Sequence, residues 1–195
     1  MTSPPTIGDK AALRREALAR RARATPAMRR QAERRLPELA ASIARISRRG
    51  TVGGFMAFRG EFDILPLMAA LARAGRRVAI PQVTGKSDPL TFRRWAPGDA
   101  FRAGAYGIRE PLEGRERVDP DIYLVPLAAF DRRGYRIGYG GGFYDRTLAA
   151  AAARQSIVTI GIAYSSQEVP TVPAEAHDIP LDAIFTERGL METRR

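Results

Sequence analysis

The sequence predicts a single α/β domain of three layers, with helices on both faces of a mainly parallel sheet. Three observations predict it. At 195 residues the chain is long enough to bury a sizeable core and short for two independent ones. From Thr51 onward, short apolar runs bounded by turn residues alternate with helical stretches, the order that folds into parallel strands with crossover helices. Several of those runs are apolar enough to be covered on both faces, as strands inside a parallel sheet must be.

Taken in order, Asp9 can cap a helix over residues 10–24, in which Leu13, Ala17 and Leu18 fall at helical spacing on one face. Thr25 followed by Pro26 reads as a second cap with proline at the first helical position, opening a helix toward Ile46 that Pro37 can bend. The strand runs are "TVGGFMAF", "RVAIPQV", "LTFRRW", "DIYLVPL", "SIVTIGIAY" and "DAIFT". Helices are expected at "DILPLMAALARAG" and "FYDRTLAAAAAR", and no internal repeat is present. Residues 96–121, with prolines, glycines and mixed charges, are long for a simple connection and suggest a flap or lid. Ligands of open α/β sheets collect beyond the carboxyl ends of the strands, which points at "RGEFD", "QVTGK", "LAAFDRRGYRIGYGGGFYD" and "SSQEVP".

Composition closes several chemistries. There is no cysteine, so disulfides, thiolate catalysis and thiolate zinc sites are excluded, and one histidine, His177, excludes a site built from several imidazoles of one chain. No apolar run approaches the ~20 residues that cross a bilayer. The opening "MTSPPTIGDK" shows no basic region followed by an apolar one, so a cytoplasmic location without a membrane partner is expected. The formal charge of +11 is concentrated: residues 1–50 carry thirteen basic against four acidic residues. Thirty of the 32 basic residues are arginine, the exceptions being Lys10 and Lys86. Such a run suits an exposed helix face; the alternative is a nucleic-acid-binding module built on the arginine-rich first helices.

"RIGYGGGFYDRTL", residues 136–148, holds the strongest local signal. Gly138, Gly140, Gly141 and Gly142 remove side chains where a backbone must approach a ligand, and the loop feeds a helix whose free N–H groups and dipole favour an anion. A phosphate-bearing ligand is the natural guest, though a wide turn without a ligand has the same composition. No Lys-Ser or Lys-Thr completes a P-loop, and Phe143 stands where the dinucleotide fingerprint has its third glycine. Asp145 can bind Mg2+ beside phosphates or simply place charge at a helix N-terminus.

With its flanks, "FDRRGYRIGYGGGFYDRTL" resembles the signature of the 5-formyltetrahydrofolate cyclo-ligase (5,10-methenyltetrahydrofolate synthetase) family. Further landmarks follow in the right order across nearly the whole chain: "KAALR" near the start, an acidic residue in "FMAFRGEFD", the "IP" of "VAIPQV", and a late aspartate in "EAHDIPLDAIFT". The resemblance implies an ATP- and Mg2+-dependent enzyme, monomeric, acting on small molecules and not on nucleic acid. Its reaction converts 5-formyltetrahydrofolate to 5,10-methenyltetrahydrofolate with release of ADP and phosphate. By resemblance Lys10 and Arg14 contact ATP phosphates, Arg136, Ile137, Gly138, Tyr139, Gly140, Gly141, Gly142, Phe143 and Tyr144 form the ATP loop, and Arg136, Tyr139 and Asp145 are catalytic. Tyr139 to Phe143 also border the folate, which Met56 and Glu61 line. Asp145 and Asp182 are the implied Mg2+ ligands.

Read without the resemblance, Lys10 and Arg14 are two charges on a basic helix, Met56 is core, Glu61 and Asp63 place charge before a helix, and Asp182 is a turn residue. Trp95 and Tyr106 are candidates for stacking on the ligand's rings. His177 beside Asp178 invites a serine-hydrolase reading, but no G-x-S-x-G exists, which leaves it a structural or supporting role. The family's frequent tyrosine is replaced by Phe143, which keeps the ring and loses a hydroxyl. One domain is expected over residues 1–195, with 1–8 and 191–195 mobile.

Overall fold

The computed structural model describes residues 7–175 and 178–193, so His177 lies outside the described residues. Two helices come first, α1 (Ile7–Ala22) and α2 (Pro26–Ile46). They are followed by β1 (Val52–Gly53), α3 (Leu65–Arg73), β2 (Val78–Gln82), β3 (Thr91–Trp95), β4 (Phe101–Ala103) and β5 (Arg109–Pro111). The chain continues through β6 (Ile122–Pro126), β7 (Ala129–Phe130), β8 (Arg136–Ile137), α4 (Phe143–Ala152), β9 (Val158–Ile162), β10 (Ala183–Thr186) and β11 (Gly189–Glu192).

Seven strands form the central sheet in the order β11-β10-β9-β6-β1-β2-β3. The five inner strands are parallel, and the two edges, β3 and β11, are antiparallel to their neighbours. Successive strand residues point to opposite faces. Val78, Ile80, Ile122 and Leu124 therefore pack against Leu36, Leu39 and Ile43 of α2 and Leu67, Met68 and Leu71 of α3. Their neighbours Ala79, Tyr123 and Val125 pack on the other face with Leu148 and Ala151 of α4. These are the three expected layers.

Thr25 caps α2 as expected, its Oγ1 accepting from Met28 N at 3.3 Å, and Pro26 opens the helix. Pro37 lies inside α2, which nevertheless runs on to Ile46. α1 begins at Ile7, so Asp9 lies within its first turn instead of capping it. The eight-letter run "TVGGFMAF" supplies only a two-residue strand, because Phe55 and Met56 leave the sheet and are buried as loop residues in the core. Residues 96–121 are not structureless. They hold the β4–β5 hairpin with a 3-10 turn at Ala105–Gly107, after which Glu116 O and Val118 N pair with Arg94 N and Phe92 O at 2.8 and 3.0 Å. That pairing covers the outer edge of β3. Met191 and Glu192, expected in a mobile tail, pair with Ile184 and Ala183.

β2 and β6 lie on either side of β1, so the sheet's winding reverses between β1 and β6. Crevices at such a reversal, beyond the carboxyl ends of the strands, are where open α/β sheets bind ligands. α1 lies across that region: Ala17 is buried with Ala129, Ile137, Val169 and Val172. Among the described residues no helix is long and apolar enough to cross a membrane.

Candidate functional site

The two strands that flank the reversal release the two segments singled out in the sequence. After β1 comes the stretch with Met56 and Glu61; after β6 comes the β7–β8 hairpin and the glycine loop. Gln167 braces the second, its Nε2 donating to Leu127 O at 2.7 Å and Ala128 O at 2.9 Å. Gly140 and Gly142 have φ of +99° and +64°, the left-handed region that excludes most side chains, and Gly142 is the N-terminal cap of α4. Gly138 differs. Its φ is not left-handed, and a Cβ built on it would meet none of the described residues within 4 Å. No described residue requires a glycine there, and residues 138–141 are exposed.

One stripe of α1 runs along this loop, because residues 4, 7 and 11 positions apart share a helix face. Lys10 Nζ donates to Glu175 Oε1 at 2.9 Å and Asp178 Oδ2 at 3.0 Å. Arg14 Nε donates to Gly138 O at 2.7 Å. Ala17 packs beneath. Arg21 Nη1 donates to the Tyr139 hydroxyl, and its Nη2 to Arg59 O at 2.8 Å. Burial alone would lower the Lys10 pKa, but its hydrogen bonds to Glu175 and Asp178 and their charges outweigh it and hold the ammonium above its ordinary value.

The side chain of Arg136 is buried and donates to Ile179 O at 2.8 Å and to Asp145 Oδ1. Burial pulls the guanidinium's pKa down, and the charges of Asp145 and then Asp178 oppose that pull. Two carboxylates therefore face Arg136: Asp145, one of the two expected Mg2+ ligands, and Asp178. Asp178 is the residue that sequence reasoning passed over; it was read only as the neighbour of His177. Asp182, chosen instead, precedes the first residue of β10, where Thr159 N and Oγ1 donate to its Oδ2 at 2.9 and 2.8 Å. That is the amino end of β9 and β10. The return from α4 to Val158 brings the last turn of α4 to that end, and Asp145 is in the first turn. Asp182 and Asp145 are not brought together. Among the described residues no group of three or more His, Asp or Glu is assembled as a metal site. A half-exposed Asp145 facing the loop with Asp178 near by suits Mg2+, which takes one or two carboxylates and fills its remaining positions with phosphate oxygens and water.

Glu61 is buried, its Oε2 accepting from Phe58 N at 2.9 Å and its Oε1 lying 3.9 Å from Arg21 Nη1. Burial raises its carboxyl pKa; hydrogen bonds from Tyr139 and Phe58 and the charge of Arg21 offset part of the rise. Met56 is buried in the core cluster with Phe55 and Phe62. Of the two stacking candidates, Trp95 is taken into the core, where it stacks with Phe101, because it closes the inward face of the edge strand β3. Its neighbours form a hollow of about 310 Å3 with Arg94, Asp99, Arg115 and Glu116, whose charges pair with one another. Tyr106 is exposed at the hairpin tip and meets Phe143 edge-on, ring centroids 6.0 Å apart. The Tyr144 hydroxyl is buried without a hydrogen-bond partner among the described residues.

The model of the 5-formyltetrahydrofolate cyclo-ligase family matches residues 6–187. The chain belongs to the 5-formyltetrahydrofolate cyclo-ligase family. Two curated relatives named 5-formyltetrahydrofolate cyclo-ligase agree. The one from Escherichia coli (strain K12) is 38% identical over 147 residues, 73% of this chain and 80% of the relative. The one from Haemophilus influenzae is 32% identical over 166 residues, 83% and 88% of the two chains. The structure of Aquifex aeolicus 5,10-methenyltetrahydrofolate synthetase superimposes with a TM-score of 0.78 at 32% identity, covering 95% of this chain and 93% of that one. A synthetase from Mycoplasma pneumoniae shares the fold, TM-score 0.73 at 24% identity over 92% and 99% of the chains. Membership of the cyclo-ligase family makes the chain a ligase of folate chemistry, and the glycine loop is where the family signature and the sheet's ligand crevice coincide.

Proposed function

We propose that the protein converts 5-formyltetrahydrofolate to 5,10-methenyltetrahydrofolate, consuming ATP in the presence of Mg2+ and releasing ADP and phosphate. The observation that carries the reading is Gly138: a bare, exposed position where no described residue calls for glycine, between Arg14, which donates to its carbonyl, and the buried side chain of Arg136 two residues before it. An absent side chain that the protein itself does not exploit supports a ligand lying against the backbone.

In this reading the γ-phosphoryl group passes to the formyl oxygen and ADP leaves. N10 then attacks the formyl carbon, its proton is lost, and phosphate departs with the former formyl oxygen as the ring closes. The protein's share is positioning and charge stabilisation. Arg14, Arg136 and the N–H groups at the start of α4 face the phosphates. Lys10 exchanges its carboxylate partners for phosphate oxygens. Asp145, with Asp178, would hold Mg2+, which neutralises charge on the phosphate oxygens when bound. Glu61 accepts from pterin N–H donors, Met56 forms the apolar floor, and Tyr139, Phe143 and Tyr106 border the folate rings.

The test is spectrophotometric. Purified protein with 5-formyltetrahydrofolate should give methenyltetrahydrofolate absorbance that requires both ATP and Mg2+; no product with authentic substrates overturns the reading. Gly138→Ala should unfold at the parent's temperature yet raise KM for ATP about tenfold, equivalent to ~1.4 kcal/mol of lost binding. An unchanged KM would remove the close-backbone argument.

A further inference from the structure

Arg21 is the fourth member of the α1 stripe, and neither the sequence pattern nor the family signature assigns it a role. It is buried to 3% exposure, whereas Arg14 and Arg20 of the same segment are half-buried and Arg15 and Arg23 exposed. The Arg21 guanidinium joins two separate segments of the site to α1. Nη2 donates to Arg59 O at 2.8 Å, fixing the segment after β1 at a residue whose φ is +48°. Nη1 donates to the Tyr139 hydroxyl of the glycine loop and stands 3.9 Å from Glu61 Oε1, and Cζ lies 5.5 Å from the Tyr139 ring centroid. A planar fork can satisfy such a set of partners at once, whereas an ammonium cannot.

We propose that Arg21 is a positioning residue for the folate: it holds Glu61 and the Tyr139 ring in one fixed arrangement, so that the folate-facing carboxylate is set by the same helix that faces the nucleotide. The assignment rests on Glu61 and Tyr139 bordering the folate, as proposed above. Without Arg21, Glu61 is a buried carboxylate with no cation beside it among the described residues. The groups facing Glu61 are then Tyr139 and the Tyr144 phenol from the glycine loop and α4, and Phe58 N from its own segment. Burial already raises the carboxyl, so loss of the guanidinium raises it further. Folate binding, which needs the ionised acceptor, then deteriorates at a higher pH than in the parent.

The experiment uses the full chain and measures KM for 5-formyltetrahydrofolate and for ATP across the pH range of activity. Arg21→Met should raise the folate KM about tenfold or more, a loss of ~1.4 kcal/mol or more. It should also shift the acid limb of the folate kcat/KM profile to higher pH and change the ATP KM less than the folate KM; Arg21→Lys should recover part of the loss. Should Arg21→Met fail to fold with its stranded carboxylate, the double variant Arg21→Met/Glu61→Gln carries no buried charge and serves in its place. In that double variant the shifted acid limb should vanish, and the folate KM should exceed that of Glu61→Gln alone by less than the tenfold given for Arg21→Met. Additive losses, or an ATP KM that rises as much as the folate KM, overturn the assignment. If Glu61→Gln raises the folate KM and Arg21→Met does not, the Arg21 assignment alone falls. If Glu61→Gln leaves the folate KM unchanged, the folate-pocket reading falls and takes Arg21 with it.

Discussion

At the scale of single residues, three aspartates separate by what touches them. Asp145 faces Arg136 in the first turn of α4, Asp178 faces Lys10, and Asp182 accepts from Thr159 at the amino end of the sheet. Asp145→Asn should therefore lower kcat by about a hundredfold, ~2.7 kcal/mol of transition-state stabilisation. Its effect on stability should exceed the ~0.3–1 kcal/mol that a first-turn charge contributes to a helix, because the buried Arg136 guanidinium loses the nearer of its two carboxylates. Asp178→Asn should raise the Mg2+ concentration needed for half-maximal rate. Asp182→Asn should leave that concentration alone and lower the unfolding temperature, since the part-buried hydrogen bonds that Asp182 accepts from Thr159 are weakened. A Mg2+ titration of the rate checks all three, and a shifted requirement in Asp182→Asn would return it to the metal site. Tyr106 gives a second residue-scale test. Its φ of +60° is unusual for a side-chain-bearing residue, while its ring is exposed against Phe143. Tyr106→Gly should stabilise the folded protein by up to ~1 kcal/mol by relieving backbone strain yet raise the folate KM, whereas Tyr106→Ala should raise KM without the gain. Thermal unfolding and folate kinetics together separate strain from stacking. Much at this scale was legible. Glycine spacing located the loop, but burial is not written in local sequence, so "HDIPLD" offered two aspartates with no sign of which one the chain would fold toward Arg136.

At the scale of elements, α1 carries more of the site than its composition suggested. Its arginines looked alike in sequence; folded, Arg14 bonds the glycine loop, Arg20 donates to Ser166 O at 2.7 Å, and Arg21 is buried beside Glu61. The 4, 7, 11 spacing from Lys10 was visible, but helical periodicity cannot say which face meets which loop, and the apolar stripe through Leu13 and Ala17 only half determined it. Lys10 anchors the start of the helix, and its raised pKa gives a test. A cation whose folded-state pKa exceeds its unfolded value stabilises fully below the unfolded value of 10.5 and loses that contribution as pH rises through the folded value. The difference in unfolding temperature between parent and Lys10→Met should thus be constant through neutral pH and shrink on the alkaline side of the ordinary lysine value. A difference that does not shrink would mean the lysine stem, not its charge, docks the helix. Strand signals were legible where strands are covered on both faces, as in β6 and β9. They failed for the short pairs β4–β5 and β7–β8, because two or three residues carry too little periodicity to stand apart from turns.

At the scale of the whole molecule, the parallel centre and the site share one packing unit, which the alternation of runs predicted in outline but not in contact. Gly161 sits in β9 between β6 and β10, and a Cβ there would stand 2.7 Å from Ile184 Cδ1 and Leu181 Cδ1 and 2.8 Å from Leu127 Cδ2. Leu127 begins the segment that becomes the glycine loop, and Leu181 follows two residues after Ile179, whose carbonyl holds Arg136. Pushing these side chains apart moves both supports of Arg136 at once. Interiors are packed too densely to absorb an added methyl without shifts, so Gly161→Ala should destabilise by about 1–3 kcal/mol. In a chain of this length that lowers the unfolding temperature by roughly 2–4 °C per kcal/mol. Because the displaced side chains lead into the site, kcat/KM for ATP should fall as well, although Gly161 touches no proposed substrate. Calorimetry and steady-state kinetics on the same preparation check the two halves. A variant that unfolds lower but turns over normally would mean that the hairpin between Leu127 and Gly138 absorbs the displacement and insulates the nucleotide loop from the core.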